Sequence, residues 1–234
     1  MQTQRLAITL TAFTASLATA AISAAPLTAG MQVGITPDNG SNTTKTDIVG
    51  NDWNDLNTNA THNTIHNLDG VTLDGVSVQM AGGGINNAGE DNWAGLSSQG
   101  GSAPPEFVDS VTTDLLFGNS TVTITGLDTA LTYNLYSTSH GGGSGFDGRD
   151  EAHTVTGDVS YGTSELNRGA SRLGAFHTFL GVKPDNSGTI VLQMTATDGS
   201  NNPAFNGLLI NVVPEPGSLA LLAMGGFIAL RRRR

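Results

Sequence analysis

The chain has 234 residues, 31 of them glycine, with 13% charged residues, no cysteine and a formal net charge of −10. Arg231, Arg232, Arg233 and Arg234 close the C-terminus and Arg5 lies near the start, so the stretch between carries five basic groups against 20 acidic ones. Such a body repels nucleic-acid phosphates, and the lack of thiols excludes cysteine nucleophiles, zinc–thiolate sites and iron–sulfur clusters. The charge suits solubility outside a cell and is compatible with cation binding.

Residues 1–25 read as a secretory signal peptide that would form an N-terminal signal helix. Arg5 supplies the positive start, Leu6 to Ala21 is uncharged, and Ser23, Ala24 and Ala25 are the small residues that a signal peptidase selects. Pro26 disfavours a cut directly after Ala25, so the cleavage window runs from Ser23 to Gly30.

Apolar alternation and turn residues then mark strands over residues 30–212, taken as one β-sandwich domain. Candidates are Met31 to Thr36, Asp47 to Leu56 around Trp53, and Leu73 to Met80, whose inward residues are Leu73, Val76, Val78 and Met80. Thr121 to Thr125 alternates cleanly and closes at Gly126, and Leu131 to Leu135 follows after a short turn, a spacing that predicts a hairpin. Later candidates are His153 to Tyr161, Ala175 to Val182, Thr189 to Thr197 and Phe205 to Val213, with a turn at Pro184 to Gly188. Glu106 to Phe117 reads as a short helix or as irregular chain. The Gly-rich stretches Ala81 to Gly84, Gly100-Gly101 and Gly141 to Gly145 read as loops. Eight to ten short strands without heptads or a fixed repeat imply an all-β fold, a single antiparallel sandwich of the jelly-roll kind.

The chain ends in Val213-Pro214-Glu215-Pro216, an uncharged run of 14 residues from Gly217 to Leu230, and the four arginines. As a short hydrophobic helix that run spans about 21 Å, against a hydrocarbon core of about 30 Å. Consecutive arginines resist translocation, which keeps Arg231 to Arg234 cytoplasmic and the body outside. This tail, residues 213–234, resembles the PEP-CTERM sorting signal. The resemblance implies recognition by an exosortase, removal of the tail, and a Gram-negative-type bacterium that makes extracellular polysaccharide.

The body carries shorter patterns: Trp53-Asn54-Asp55-Leu56, Gly70-Val71-Thr72, Ile124 to Asp128 with Thr132 to Tyr136, and Phe205 to Ile210. In that order they resemble the galactose-binding-like jelly-roll domains of secreted planctomycete and verrucomicrobial proteins. The likeness bears on fold more than on ligand.

No local pattern nominates a catalytic set among His62, His66, His140, His153 and His177, and Gly143-Ser144-Gly145 lacks the frame of a nucleophile elbow. His62 and His66 have zinc-like spacing but sit among poor helix formers, so they read as exposed loop histidines. Asp147, Asp150 and Glu151 read as a solvated acidic loop, with calcium held by the three carboxylates as the alternative. Among the large aromatics, Trp53 and Tyr133 read as core, while Trp93 in a polar Gly-rich loop is the candidate platform for a sugar.

The expectation is thus a non-enzymatic protein of the cell envelope or extracellular matrix, transiently anchored in the cytoplasmic membrane through its tail. Its partners would be the secretion machinery, an exosortase and extracellular polysaccharide, with no nucleic acid; calcium is the one cofactor to consider. A secreted carbohydrate-active enzyme of the glycoside-hydrolase type on the same scaffold is the alternative.

Overall fold

The computed structural model describes residues 25–37, 43–46, 50–87, 114–139, 151–166, 175–197 and 203–214. These form thirteen strands: β1 (Gln32–Pro37), β2 (Thr43–Thr46), β3 (Asp52–Leu56), β4 (Ala60–His62), β5 (Ser77–Asn87), β6 (Asp114–Thr125), β7 (Thr132–Ser139), β8 (Glu151–Thr156), β9 (Ser160–Leu166), β10 (Ala175–Val182), β11 (Ile190–Ala196), β12 (Ala204–Phe205) and β13 (Gly207–Val213). The fold is all-β, and among the described residues there is no helix. The expected signal helix before Ala25 and the expected tail helix over Gly217 to Leu230 lie outside the described residues. One sheet runs β10-β7-β13-β1-β3-β2; the other runs β4-β5-β6-β11-β8-β9, with β12 beside β6.

The two sheets close on an apolar core. Val33, Ile35, Tyr133, Leu135, Leu208, Ile210 and Val212 point in from the first sheet, and Val78, Met80, Val122, Ile124, Leu192 and Met194 from the second. All four inward candidates of the Leu73–Met80 run are buried, as their spacing predicts. Trp53 and Tyr133 are fully buried too. Trp53 belongs to a second small cluster with Leu68 and Leu209, flanked by Tyr136, away from the main core. Its indole lies so close over Gly34 that a Cβ there would come within 2.5 Å of the ring.

Several expectations change. The 121–135 segment is no hairpin: β6 pairs with β5, β11 and β12, whereas β7 pairs with β10 and β13 in the opposite sheet. The turn is a corner between sheets. Gly126 makes it with φ +76°, packed so tightly that a Cβ would fall 1.9 Å from the Gly75 carbonyl oxygen. The Pro184–Gly188 turn is likewise a corner, from β10 to β11, and is held by Asp185, whose carboxylate accepts from the backbone N–H of Ser187 and Thr189 (2.8 and 2.9 Å).

Ala81 to Gly84 is not a loop but part of β5, where a bulge between Gly82 and Gly84 lets the strand continue along β6. Asp114 to Phe117 is strand, which removes the helix option there; residues 106–113 lie outside the described residues. The sandwich is also not wholly antiparallel, since β1 and β3 run parallel, with Thr36 Oγ1 donating to Asp55 Oδ1 (3.0 Å) across the pair.

Candidate functional site

Polar residues at inward positions of an apolar sandwich are the first place to look for function. On β8 the period-2 alternation turns Glu151, His153 and Val155 to the interior; on β10 it turns His177 and Phe179 inward; on β7, Tyr133, Leu135 and Ser137. Antiparallel register sets His177 directly opposite Ser137 in one sheet. The other sheet supplies Glu151 and His153, two residues apart on the same face. Four polar side chains from both sheets therefore meet inside the core, and all four are 0% exposed.

The geometry is compact. Ser137 Oγ lies 2.8 Å from His153 Nδ1. Glu151 Oε1 lies 3.8 Å from both His153 Nε2 and His177 Nε2. The imidazoles stack with centroids 3.7 Å apart and planes 10° from parallel. Neither ring nitrogen of His177 makes a hydrogen bond. An ionised carboxylate withdrawn from water loses several kcal/mol of solvation, which a nearby cation offsets only at good geometry. At 3.8 Å from Oε1 the imidazole nitrogens are beyond hydrogen-bonding distance of it. The spacing suits a metal cation held among the three groups.

Glu151 corrects the sequence reading. It does not belong to a solvated acidic loop; the first residue of β8 carries it into the core beside two imidazoles. Oxygen-rich calcium coordination does not match that company, since imidazole favours transition metals. Asp147, Asp150 and Trp93 lie outside the described residues, as does His140. His62 and His66 are half-buried and not free loop histidines. His62 belongs to β4, with Nε2 3.0 Å from the Asn57 carbonyl oxygen, while His66 Nδ1 lies 3.2 Å from Thr72 Oγ1. The structure does not bring them to Glu151.

Chain direction separates two ends of the sandwich. β7 and β11 finish, and β8, β10 and β13 begin, at the end that holds Glu151, His153 and His177. β5 and β9 also finish there, and β6 begins there. β13 runs the other way from Thr138 to Thr132 along β7, so Pro214 stands at the far end. Beside it lies a hollow of about 260 Å³ flanked by Gly30, Gln32, Asn134, Asn211 and Val213.

The segment beyond β13 decides the protein's address. Residues 212–234 match the PEP-CTERM protein-sorting motif. The chain carries an exosortase sorting signal. A PEP-CTERM motif marks an exported protein that passes through a membrane-anchored stage and is processed by exosortase. No curated protein matches the chain in sequence.

Among solved structures, the body of the chain is weakly similar to the ANX2 ectodomain from Arabidopsis thaliana (11% identity, TM-score 0.46, covering 79% of this chain and 42% of that one). The chain thus spans about two fifths of that ectodomain. Smaller portions resemble TmCBM61, solved with β-1,4-galactotriose (14% identity, TM-score 0.27, 41% of this chain and 68% of that one). An F5/8 type C domain from Bacteroides fragilis is similar at 14% identity and TM-score 0.28, over 43% of this chain and 73% of that one.

Proposed function

We propose that this is a non-enzymatic surface or matrix protein, cut by exosortase between Pro214 and Gly217, whose sandwich associates with extracellular polysaccharide. The observation that carries the reading is the PEP-CTERM motif, which begins at the end of the last strand. The body is joined directly to a sorting device, with no domain between them. Before processing, Arg231 to Arg234 stay on the cytoplasmic side and the sandwich stands outside.

The buried cluster favours the non-enzymatic reading. Ser137 contacts His153 in the manner of a nucleophile with its base, but Oγ is sealed in the core, and a hydrolase must offer that oxygen to substrate. Glycoside hydrolysis needs two carboxyl groups facing each other about 5 to 9.5 Å apart. Glu151 faces imidazoles instead. Polysaccharide association rests on the sequence reading of Trp93, in a polar Gly-rich stretch, as a platform for a sugar.

The test is the intact mass of the protein from envelope and extracellular fractions of its host, followed by co-sedimentation with the host's polysaccharide. A new C-terminus near Pro214 to Gly217 and retention by the polysaccharide are expected. A mass that still includes Arg231 to Arg234 would overturn processing, and failure to co-sediment would overturn the polysaccharide assignment.

A further inference from the structure

We propose that Glu151, His153 and His177 bind a single divalent transition-metal ion of the zinc type, tying the two sheets together. One ligand atom from each residue lies within 4.8 Å of the others, and all three residues are fully buried. A carboxylate with two imidazoles is a donor set for zinc and its first-row neighbours. Zinc bonds of about 2.0–2.2 Å at tetrahedral angles place ligand atoms about 3.3 Å apart. The two 3.8 Å contacts to Glu151 need to contract by about half an ångström to reach that value, and the imidazole nitrogens, within 4.8 Å of each other, by up to about 1.5 Å.

The two rings are prepared differently. His153 is steadied by Ser137 at Nδ1, which leaves Nε2 toward Glu151; a hydrogen bond on the far nitrogen is how metal-bound imidazoles are commonly oriented. His177 hydrogen-bonds through neither nitrogen, so no hydrogen bond opposes a turn of its ring. A turn is required. Imidazole lone pairs lie in the ring plane, and two rings stacked 10° from parallel cannot both aim at one ion. Metal binding therefore unstacks His177 from His153, exchanging a ring contact for a coordinate bond.

The site is tested on the full-length protein, stripped with chelator and titrated with Zn²⁺ and with Co²⁺ as a visible probe. About one equivalent of Zn²⁺ is expected, and Co²⁺ should give the visible bands of a low-coordinate, imidazole-bound ion. Ser137→Ala should weaken binding about 10- to 100-fold, as loss of an orienting partner does. His177→Ala and Glu151→Gln should weaken it beyond about 100-fold. The double variant His62→Ala/His66→Ala should bind like the parent.

Variants of the cluster can fail to fold, so imidazole NMR resonances of the unaltered protein provide a separate measure: two should shift with Zn²⁺ while those of His62 and His66 stay. The proposal is overturned if the folded parent binds no Zn²⁺, if folded His177→Ala binds as the parent does, or if the resonances that move are those of His62 and His66.

Discussion

His153 and His177 stack with centroids 3.7 Å apart, yet one hangs from β8 and the other from β10, in opposite sheets. The contact is a polar link through a sandwich whose surroundings are apolar: Val155 and Phe179 are the next inward residues on the same two strands. Glu151 Oε1 lies equally far from both rings. The three groups form one unit, and a change at any one alters the surroundings of the other two.

Removing the carboxylate alone should therefore be costly. Glu151→Ala is expected to lower stability by about 1–3 kcal/mol, the range for depriving buried polar groups of a neighbour. Replacing Glu151, His153 and His177 together with leucine should be close to neutral in the metal-free protein, because the three polar groups no longer have to be withdrawn from water. Urea unfolding of both variants checks the contrast.

Tyr133 predicts an alkaline limit. Its ring is buried in the core and its hydroxyl donates to the Asp128 carbonyl oxygen at 3.2 Å. Burial pushes its pKa up from 10.0 to about 12. Between these values the unfolded chain has lost the proton and the folded one keeps it, so stability falls as pH rises through that window. Tyr133→Phe should flatten the fall, measured as unfolding midpoint against pH across the interval from 10.0 to about 12.

Gly162, within β9, and Gly126, at the corner, separate backbone strain from steric conflict. Gly162 has φ +87° with open space around it, and Gly162→Ala should cost about 1–2 kcal/mol through the left-handed backbone alone. Gly126→Ala meets the same strain plus a carbonyl oxygen 1.9 Å from the new Cβ. It should be markedly less stable than Gly162→Ala in thermal unfolding, or fail to accumulate folded.

Trp53→Ala should lose about 3–5 kcal/mol by emptying the small cluster against Leu68 and Leu209. Because that cluster is separate from the one around Glu151, zinc affinity should be unchanged. Equilibrium unfolding and a Zn²⁺ titration on the same variant read both effects.

The amino-terminal cut can be narrowed. Ala25 donates its N–H to the Thr72 carbonyl oxygen (2.9 Å) and accepts from Asp74 (2.8 Å), and Leu27 is buried in the main core. A mature protein that begins after Leu27 would forfeit these contacts. The mass of the exported form should therefore show a start no later than Ala25.

Strand by strand, much of the sandwich is legible from alternation. Ala175 to Val182 has the bounds its alternation implies, and Leu73, Val76, Val78 and Met80 are all buried. Spacing alone does not tell whether the turn at Gly126 returns to the same sheet or crosses to the other, because both begin with a glycine and a short polar stretch. The cluster is harder to foresee. Glu151 closes an acidic run, and His177 is 24 residues beyond His153, brought beside it only by the alternation of the chain between sheets. The available signal is subtle: a histidine at an inward position before Val155, and another before Phe179, each breaking an apolar stripe.

The position of β13 bears on how the protein leaves the cell. It lies between β7 and β1, near the middle of its sheet, so the first strand has no antiparallel neighbour until the last has been made. Pairings so distant in sequence form slowly. A chain threaded through a secretion channel amino end first cannot complete this sheet until Val213 has emerged. By then only Pro214 to Pro216 separate the strand from the apolar tail, about 10 Å of extended chain. Folding and anchoring thus converge on one moment and one place, and the processing enzyme must reach its short recognition segment beneath a domain that has just closed.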